Sequence, residues 1–177
     1  WEKDPYIVIR ADGTLTWMID GYTTTSRIPY STPVEGLGNY IRNPVKATVD
    51  AYHGDVRLWA VEPKDPLLRS LARIFPATFT PLDSMPEDLR AHMRYPEGMF
   101  SVQAQVYGTY HMTDPQVFYN KEDLWTVAQR DGGSGREGVT VSPYFTVTKL
   151  AGVGAKEEFI LMMPFTPSRK ENMIAWM

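Results

Sequence analysis

Apolar and polar residues alternate through the first third of the chain and then give way to a rhythm of three to four. Tyr6-Ile7-Val8-Ile9-Arg10 and Leu15-Thr16-Trp17-Met18-Ile19 flank Ala11-Asp12-Gly13-Thr14. Asp-Gly accepts the positive φ angles of a tight reversal, so this stretch predicts strand, turn and strand. A repeat of two puts Leu15, Trp17 and Ile19 on one face. Residues 22–34 carry successive Thr and Ser and then Pro29 and Pro33, which predicts an irregular surface excursion. In a second hairpin Val45, Ala47, Val49 and Ala51 alternate with Lys46, Thr48, Asp50 and Tyr52. Its turn is His53-Gly54-Asp55, and its return strand covers residues 56–61.

The helical rhythm begins at Asp65-Pro66, an N-cap followed by a proline whose missing N–H costs nothing at the first helical position. Leu67, Leu68, Leu71, Ala72 and Phe75 form the expected buried stripe, and Pro76 ends it. Pro86-Glu87 opens a short helix and Pro96-Glu97 a longer one, with Met99, Val102, Val106 and Tyr110 stacked. Asp114-Pro115 and Asn120-Lys121-Glu122-Asp123 read as two more helix starts. After a glycine-rich loop at 130–138, residues 144–150 and 158–163 predict a third strand pair. Ser168 and Glu171 have capping-box spacing, which predicts a helix beginning over 171–177. The fold class expected is α+β: an antiparallel sheet built from N- and C-terminal strands, with a helical block inserted between them. The divisions are strands and hairpins in 1–62, helices in 63–129, the loop at 130–138, and strands with a helix start in 139–177. Trp17, Trp59, Phe75 and Phe145 are expected in the core.

At 177 residues the chain can bury a core as a single domain. It opens on Trp1, and its last predicted helix would stop almost as it starts, so it reads as a soluble domain excised from a longer polypeptide. Its 18 basic and 21 acidic residues leave a net charge of −3, and the basic ones are scattered. Nucleic-acid binding, which needs a concentrated basic surface, is not expected. With no cysteine, disulfides, thiolate nucleophiles and cysteine-ligated metals are excluded. No apolar run approaches the ~20 residues that cross a bilayer, so this segment itself does not span one. No cofactor is implied.

Residues 133–138 match the GxGxxG spacing, but a helix precedes the run and a strand follows it, the reverse of a dinucleotide site. A flexible connector is the expectation. Asp50, His53 and Asp55 are candidate metal ligands, competing with ordinary turn chemistry at the same positions. His111 and Asp114 are candidate catalytic residues, competing with roles at a helix end and as an N-cap. Tyr107, Tyr110, Phe118 and Tyr119 form an aromatic cluster suited to a ligand or an interface, and equally to packing. No GxSxG elbow or HExxH helix is present.

Several long strings carry a family likeness. Residues 43–52 (NPVKATVDAY), 72–76 (ARIFP), 88–96 (DLRAHMRYP), 110–120 (YHMTDPQVFYN) and 161–167 (LMMPFTP) resemble Uncharacterised Protein Family 0182. The resemblance implies a bacterial multi-pass membrane protein with a large extracytoplasmic portion, from which this segment comes. It implies no activity. Partners would be the remainder of the membrane-spanning chain, an envelope protein or a small ligand. The expectation is therefore an extracytoplasmic docking or ligand-binding module; the alternative is a hydrolase acting on envelope material through carboxylates and His111.

Overall fold

The computed structural model describes residues 1–130, 138–150, 156–168, 170 and 172–177. Residues 131–137, which include all of the GxGxxG run but Gly138, the 151–155 connection and Glu171 of the expected capping box lie outside the described residues. The class is α+β, and the contacts gather into two compact units, Trp1–Met99 and Phe100–Met177.

The first unit is a five-stranded sheet. Strands β1 (Tyr6–Ile9), β2 (Leu15–Thr25), β3 (Tyr40–Asp50) and β4 (Val56–Ala60) run antiparallel in that order, and β5 (Phe79–Pro81) joins β4 in parallel. Both expected hairpins form. Gly13 takes φ 82° in the first turn, where the Arg10 amide donates to the Thr14 carbonyl at 2.8 Å. Gly54 takes φ 74° in the second. Strand β2 is longer than the sequence pattern predicts: Thr23, Thr24 and Thr25 pair with Arg42, Ile41 and Tyr40 beyond an irregularity at Gly21. Their branched β-carbons suit a pleated surface, so only the rest of the expected excursion is irregular.

Helix α1 (Pro66–Ile74) starts as predicted, with the Asp65 carboxylate accepting from the Leu68 amide at 2.7 Å. Its stripe is narrower than the periodicity suggests. Leu68 is buried, while Leu71, Ile74 and Phe75 are exposed. Beyond β5 a short turn leads to α2 (Glu87–Arg90). Met85 and Leu89 from this segment close a core with Tyr6, Val8, Met18 and Trp59, flanked by Leu82 and Met93. The Arg10 guanidinium reaches Asp88 at 2.9 Å and ties α2 to the first turn.

The second unit carries most of α3 (Glu97–Tyr110), then α4 (Pro115–Asn120) and seven short strands: β6 (Trp125–Val127), β7 (Gln129–Arg130), β8 (Val139–Thr140), β9 (Tyr144–Thr148), β10 (Glu158–Met162), β11 (Pro164–Pro167) and β12 (Ala175–Trp176). Strands β9 and β10 form the third predicted hairpin; β7 pairs with β8, and β11 lies between β12 and β6. Phe100 and Ala104 of α3 pack with Met163 and Phe165, joined by Trp125, Val127, Leu161 and Met177. Of the predicted stripe Met99 is buried, but Val106 and Tyr110 are exposed, so the buried line shifts to Phe100 and Ala104 along the rest of the helix. Gly108 explains the choice of face: a Cβ there would come within 2.6 Å of the Trp125 carbonyl, so only glycine lets α3 approach β6 so closely.

Two expected helix starts are absent. Lys121 adopts φ 52° and closes α4, so no helix opens at 120–123. At the C-terminus residues 175–176 form β12 instead of a helix. Met163 and Met177 exchange both backbone hydrogen bonds at 3.0 Å, and the Ile174 amide donates to Phe165 at 2.9 Å. The edge of β11 offers unpaired backbone groups, and this stretch satisfies them as a strand. Both ends of the chain do supply antiparallel strands. Among the described residues, however, they pair in separate sheets, and no C-terminal strand joins the sheet of the first unit.

Candidate functional site

The two faces of the five-stranded sheet differ in an unexpected sense. Its register aligns Ile7, Trp17, Val49 and Val56 in one row, Ile9 with Leu15, Ile19 with Ala47 and Leu58, and Val45 with Ala60. Every one of these side chains is apolar. Ile7, Ile9, Trp17 and Val56 are nevertheless 42%, 66%, 42% and 61% exposed. Helix α1 covers only one end of this face, where Leu68 and Ala72 wall a cleft of about 400 Å³ with Ala60 and Phe79. Trp17 and Phe75 are thus surface residues, contrary to the expectation that they form core; Trp59 is buried.

The opposite face is the buried one and carries the polar groups. Asp20 and Lys46 lie beside Trp59, and Thr16 and Thr48 flank Met18; all four polar residues are buried. The Lys46 ammonium donates to Asp20 at 2.5 Å and to the Arg94 carbonyl at 2.8 Å. Burial pushes the Asp20 carboxyl upward, against the pull of Lys46. The Trp59 indole N–H donates to the Thr48 hydroxyl at 2.9 Å. Tyr6 receives the Arg94 amide at 3.0 Å, and burial pushes its phenol up to about 12. Beside this group, the Glu2 carboxylate accepts from the Tyr22 hydroxyl and from the Gly98 amide at 2.8 Å. Burial alone would raise Glu2, but these donors and the Lys3 amide bring it below its ordinary value. Each buried charge has a partner, which is the arrangement of a structural network.

The residues singled out from the sequence do not converge as a catalytic centre. His111 stacks on Trp125 with ring centroids 3.7 Å apart, and its Nδ1 lies 3.1 Å from the Tyr107 carbonyl. Its acidic neighbour is Asp123, at 3.5 Å from Nε2, and Asp123 also accepts from the Trp125 indole at 3.2 Å. Asp114 is elsewhere engaged: it caps α4, accepting from the Gln116 and Val117 amides at 2.8 and 3.0 Å. Tyr107 joins the His111, Trp125 and Phe165 rings, while Tyr110 meets Phe118 at 5.4 Å. Tyr119 is 87% exposed. The aromatic cluster therefore divides into two, and its centre is Trp125, which the sequence pattern did not mark because β6 is only three residues long.

At the second hairpin turn Asp50 accepts from the Tyr52 and His53 amides at 2.9 and 2.6 Å. These amides, His53 first, hold its carboxyl below the usual range. That is turn chemistry, and among the described residues no three His, Cys, Asp or Glu are placed to hold a metal.

No solved structure matches the chain. Proteins carrying only a family designation do: one from Methanospirillum hungatei is 49% identical over all of this chain, one from Solibacter usitatus 50%, and one from Pelotomaculum thermopropionicum 51%. The chain spans 20%, 20% and 19% of their respective lengths. The family model described as Uncharacterised protein family (UPF0182) matches residues 1–177, and the chain belongs to that family.

Proposed function

We propose that this segment is a docking module of a larger polypeptide, and that the apolar sheet face of Ile7, Ile9, Trp17 and Val56 is covered there by another stretch of the same polypeptide. The observation that carries the reading is the exposure of these four side chains on a face whose aligned residues are all apolar, although Val45 and Ala47 on that face are buried. Water contact with such a face is unfavourable at roughly 25 cal/mol per Å², and exposed contiguous apolar patches mark interaction sites. The occupant is assigned to the same polypeptide because the relatives are about five times as long as this chain. We further place the parent protein in a membrane with this segment on its extracytoplasmic side, as the family likeness implies. No helix among the described residues is long and apolar enough to cross a membrane, so helical spans would be supplied by other parts of that protein.

The absence of cysteine gives a direct test. Ile9→Cys and, as a control on an exposed residue of the second unit, Lys121→Cys are introduced into the 177-residue chain and into the full-length protein. Labelling by a membrane-impermeant maleimide is read at each site by peptide mass spectrometry. Position 9 should react readily in the short chain and be protected at least tenfold in the full-length protein, with position 121 reactive in both and on intact cells. Equal reactivity of position 9 in the two contexts removes the docking reading. Protection in the short chain alone, with a dimer mass, would assign the face to a second copy. A control site labelled only after lysis would overturn the extracytoplasmic placement.

A further inference from the structure

The second unit holds a polar cleft that neither the docking reading nor the aromatic cluster accounts for. It has a volume of about 540 Å³, and its polar lining comes from Thr126, Gln129, Arg130, Thr166, Ser168 and Lys170. Thr126 and Thr166 are cross-strand partners on β6 and β11, and their hydroxyls lie 3.4 Å apart. The phenyl ring of Phe165 and the side chain of Val127, one residue along each strand, belong to the core, so the ladder turns its hydroxyl side to the cleft. Gly138 closes one wall. A Cβ there would come within 2.9 Å of the Gln129 amide oxygen, so the Gln129 side chain lies directly against this wall. Two cations face this space, and no described carboxylate lines it. Neither Arg130 nor Lys170 has an acid partner among the described residues. Among the described residues lining the cleft, that is an excess of positive charge beside hydroxyl and amide groups.

We infer that this cleft binds a small hydroxylated anion, a sugar bearing a phosphate or carboxylate. Arg130 and Lys170 neutralise the anionic group, since guanidinium and ammonium donors make the stronger, charge-assisted hydrogen bonds. Thr126, Thr166, Ser168 and Gln129 supply neutral donors and acceptors matched to sugar hydroxyls. A pocket of this size accommodates a hexose derivative.

The 177-residue chain is titrated with glucose 6-phosphate, glucuronate, glucose and inorganic phosphate, followed by calorimetry and by amide chemical shifts. At least one of the two sugar anions should bind saturably and displace the Thr126 and Thr166 resonances, and which of them does so separates phosphate from carboxylate. Glucose should not bind, and inorganic phosphate should bind at least tenfold more weakly than the better sugar anion. Arg130→Ala with Lys170→Ala should abolish binding at an unchanged melting temperature, while Lys121→Ala leaves it intact. Thr166→Val should weaken the sugar anion by about tenfold, the loss of one good hydrogen bond to a polar ligand, without changing inorganic phosphate. The inference is overturned by no saturable binding of either sugar anion up to millimolar concentration. It is equally overturned by binding that survives the double substitution, or by inorganic phosphate binding as tightly as the sugar anions.

Discussion

One face of the five-stranded sheet is buried and partly polar; the other is apolar and open over much of its area. The buried face packs Tyr6, Val8, Met18 and Trp59 against Met85 and Leu89, yet it also holds Asp20, Lys46, Thr16 and Thr48. The open face has no polar residue in register from Ile7 across to Val56. Burial here follows which segments return over the sheet, and residues 82–94 return over the side with the charges. Those charges are tolerated because each is paired: an unpaired ion in such a site would cost several kcal/mol, and a paired one much less. The open face has no such internal answer, and that asymmetry is what points to a partner.

The sharpest way to break the comparison is to unpair the buried charge. Lys46→Met should cost about 3–5 kcal/mol by urea denaturation at neutral pH, because it leaves Asp20 without its cation. Asp20→Leu combined with Lys46→Met should recover most of that loss, since an apolar pair requires no desolvation of charge. The single variant should also regain stability as pH falls, because burial already raises the Asp20 carboxyl and protonation would remove the orphan charge. A loss below about 1 kcal/mol would mean that the pair is solvated and the face is not a core.

A smaller effect tests the hydroxyls on the same face. Thr48→Val keeps the shape but leaves the buried Trp59 indole N–H without its acceptor, so the expected cost is about 1–3 kcal/mol. Trp59→Phe in the Thr48→Val background removes the orphan donor, so a double-mutant cycle should show coupling between the two sites. Independent, additive losses would remove the hydrogen bond from the account.

The ion pair between Arg10 and Asp88 gives a pH test at the margin of the buried face. The Arg10 guanidinium holds the Asp88 carboxyl at about 2, below its ordinary 3.8. A carboxyl lowered on folding contributes stability above its unfolded value and loses it as pH falls towards its folded one. The native chain should therefore lose stability between about pH 4 and pH 2, and Asp88→Asn should flatten that part of the curve. An unchanged slope in the variant would show that this pair is not linked to folding.

Much of the first unit is legible from residue order, because turns and alternation are local. Asp12-Gly13 and His53-Gly54-Asp55 set the two hairpins, and Asp65-Pro66 sets α1. What is not legible is which face turns inward. The parity of Leu15, Trp17 and Ile19 looks like a core, but residues 82–94 cover Thr16, Met18 and Asp20 instead. A local signal existed: the same parity holds Val8, Met18 and Trp59, and buried Met and Trp beside Lys46 and Asp20 foretell a paired charge. In the second unit the strands are two to five residues long and paired over larger separations, so periodicity has too few repeats to register. The link between His111 and Asp123, twelve residues apart, depends on β6 lying against Gly108, a packing choice with no signature in the spacing.

The smallest expected effect sharpens the comparison most, because it asks the open face to behave as open. Ile9 is 66% exposed at the end of β1. Ile9→Thr keeps the branched β-carbon and the strand preference while removing apolar surface, so the 177-residue chain should change by no more than about 0.5 kcal/mol. Val8→Thr, one residue away and 2% exposed, places a hydroxyl among Tyr6, Met18 and Leu89 and should cost about 1–3 kcal/mol. Both variants place a threonine on adjacent positions of β1 that face opposite sides of the sheet, and the outward one, although it removes the larger apolar side chain, should be the cheaper. If Ile9→Thr proves as costly as Val8→Thr, the outward face is already covered within these 177 residues, and the case for an occupant supplied by the rest of the polypeptide is lost.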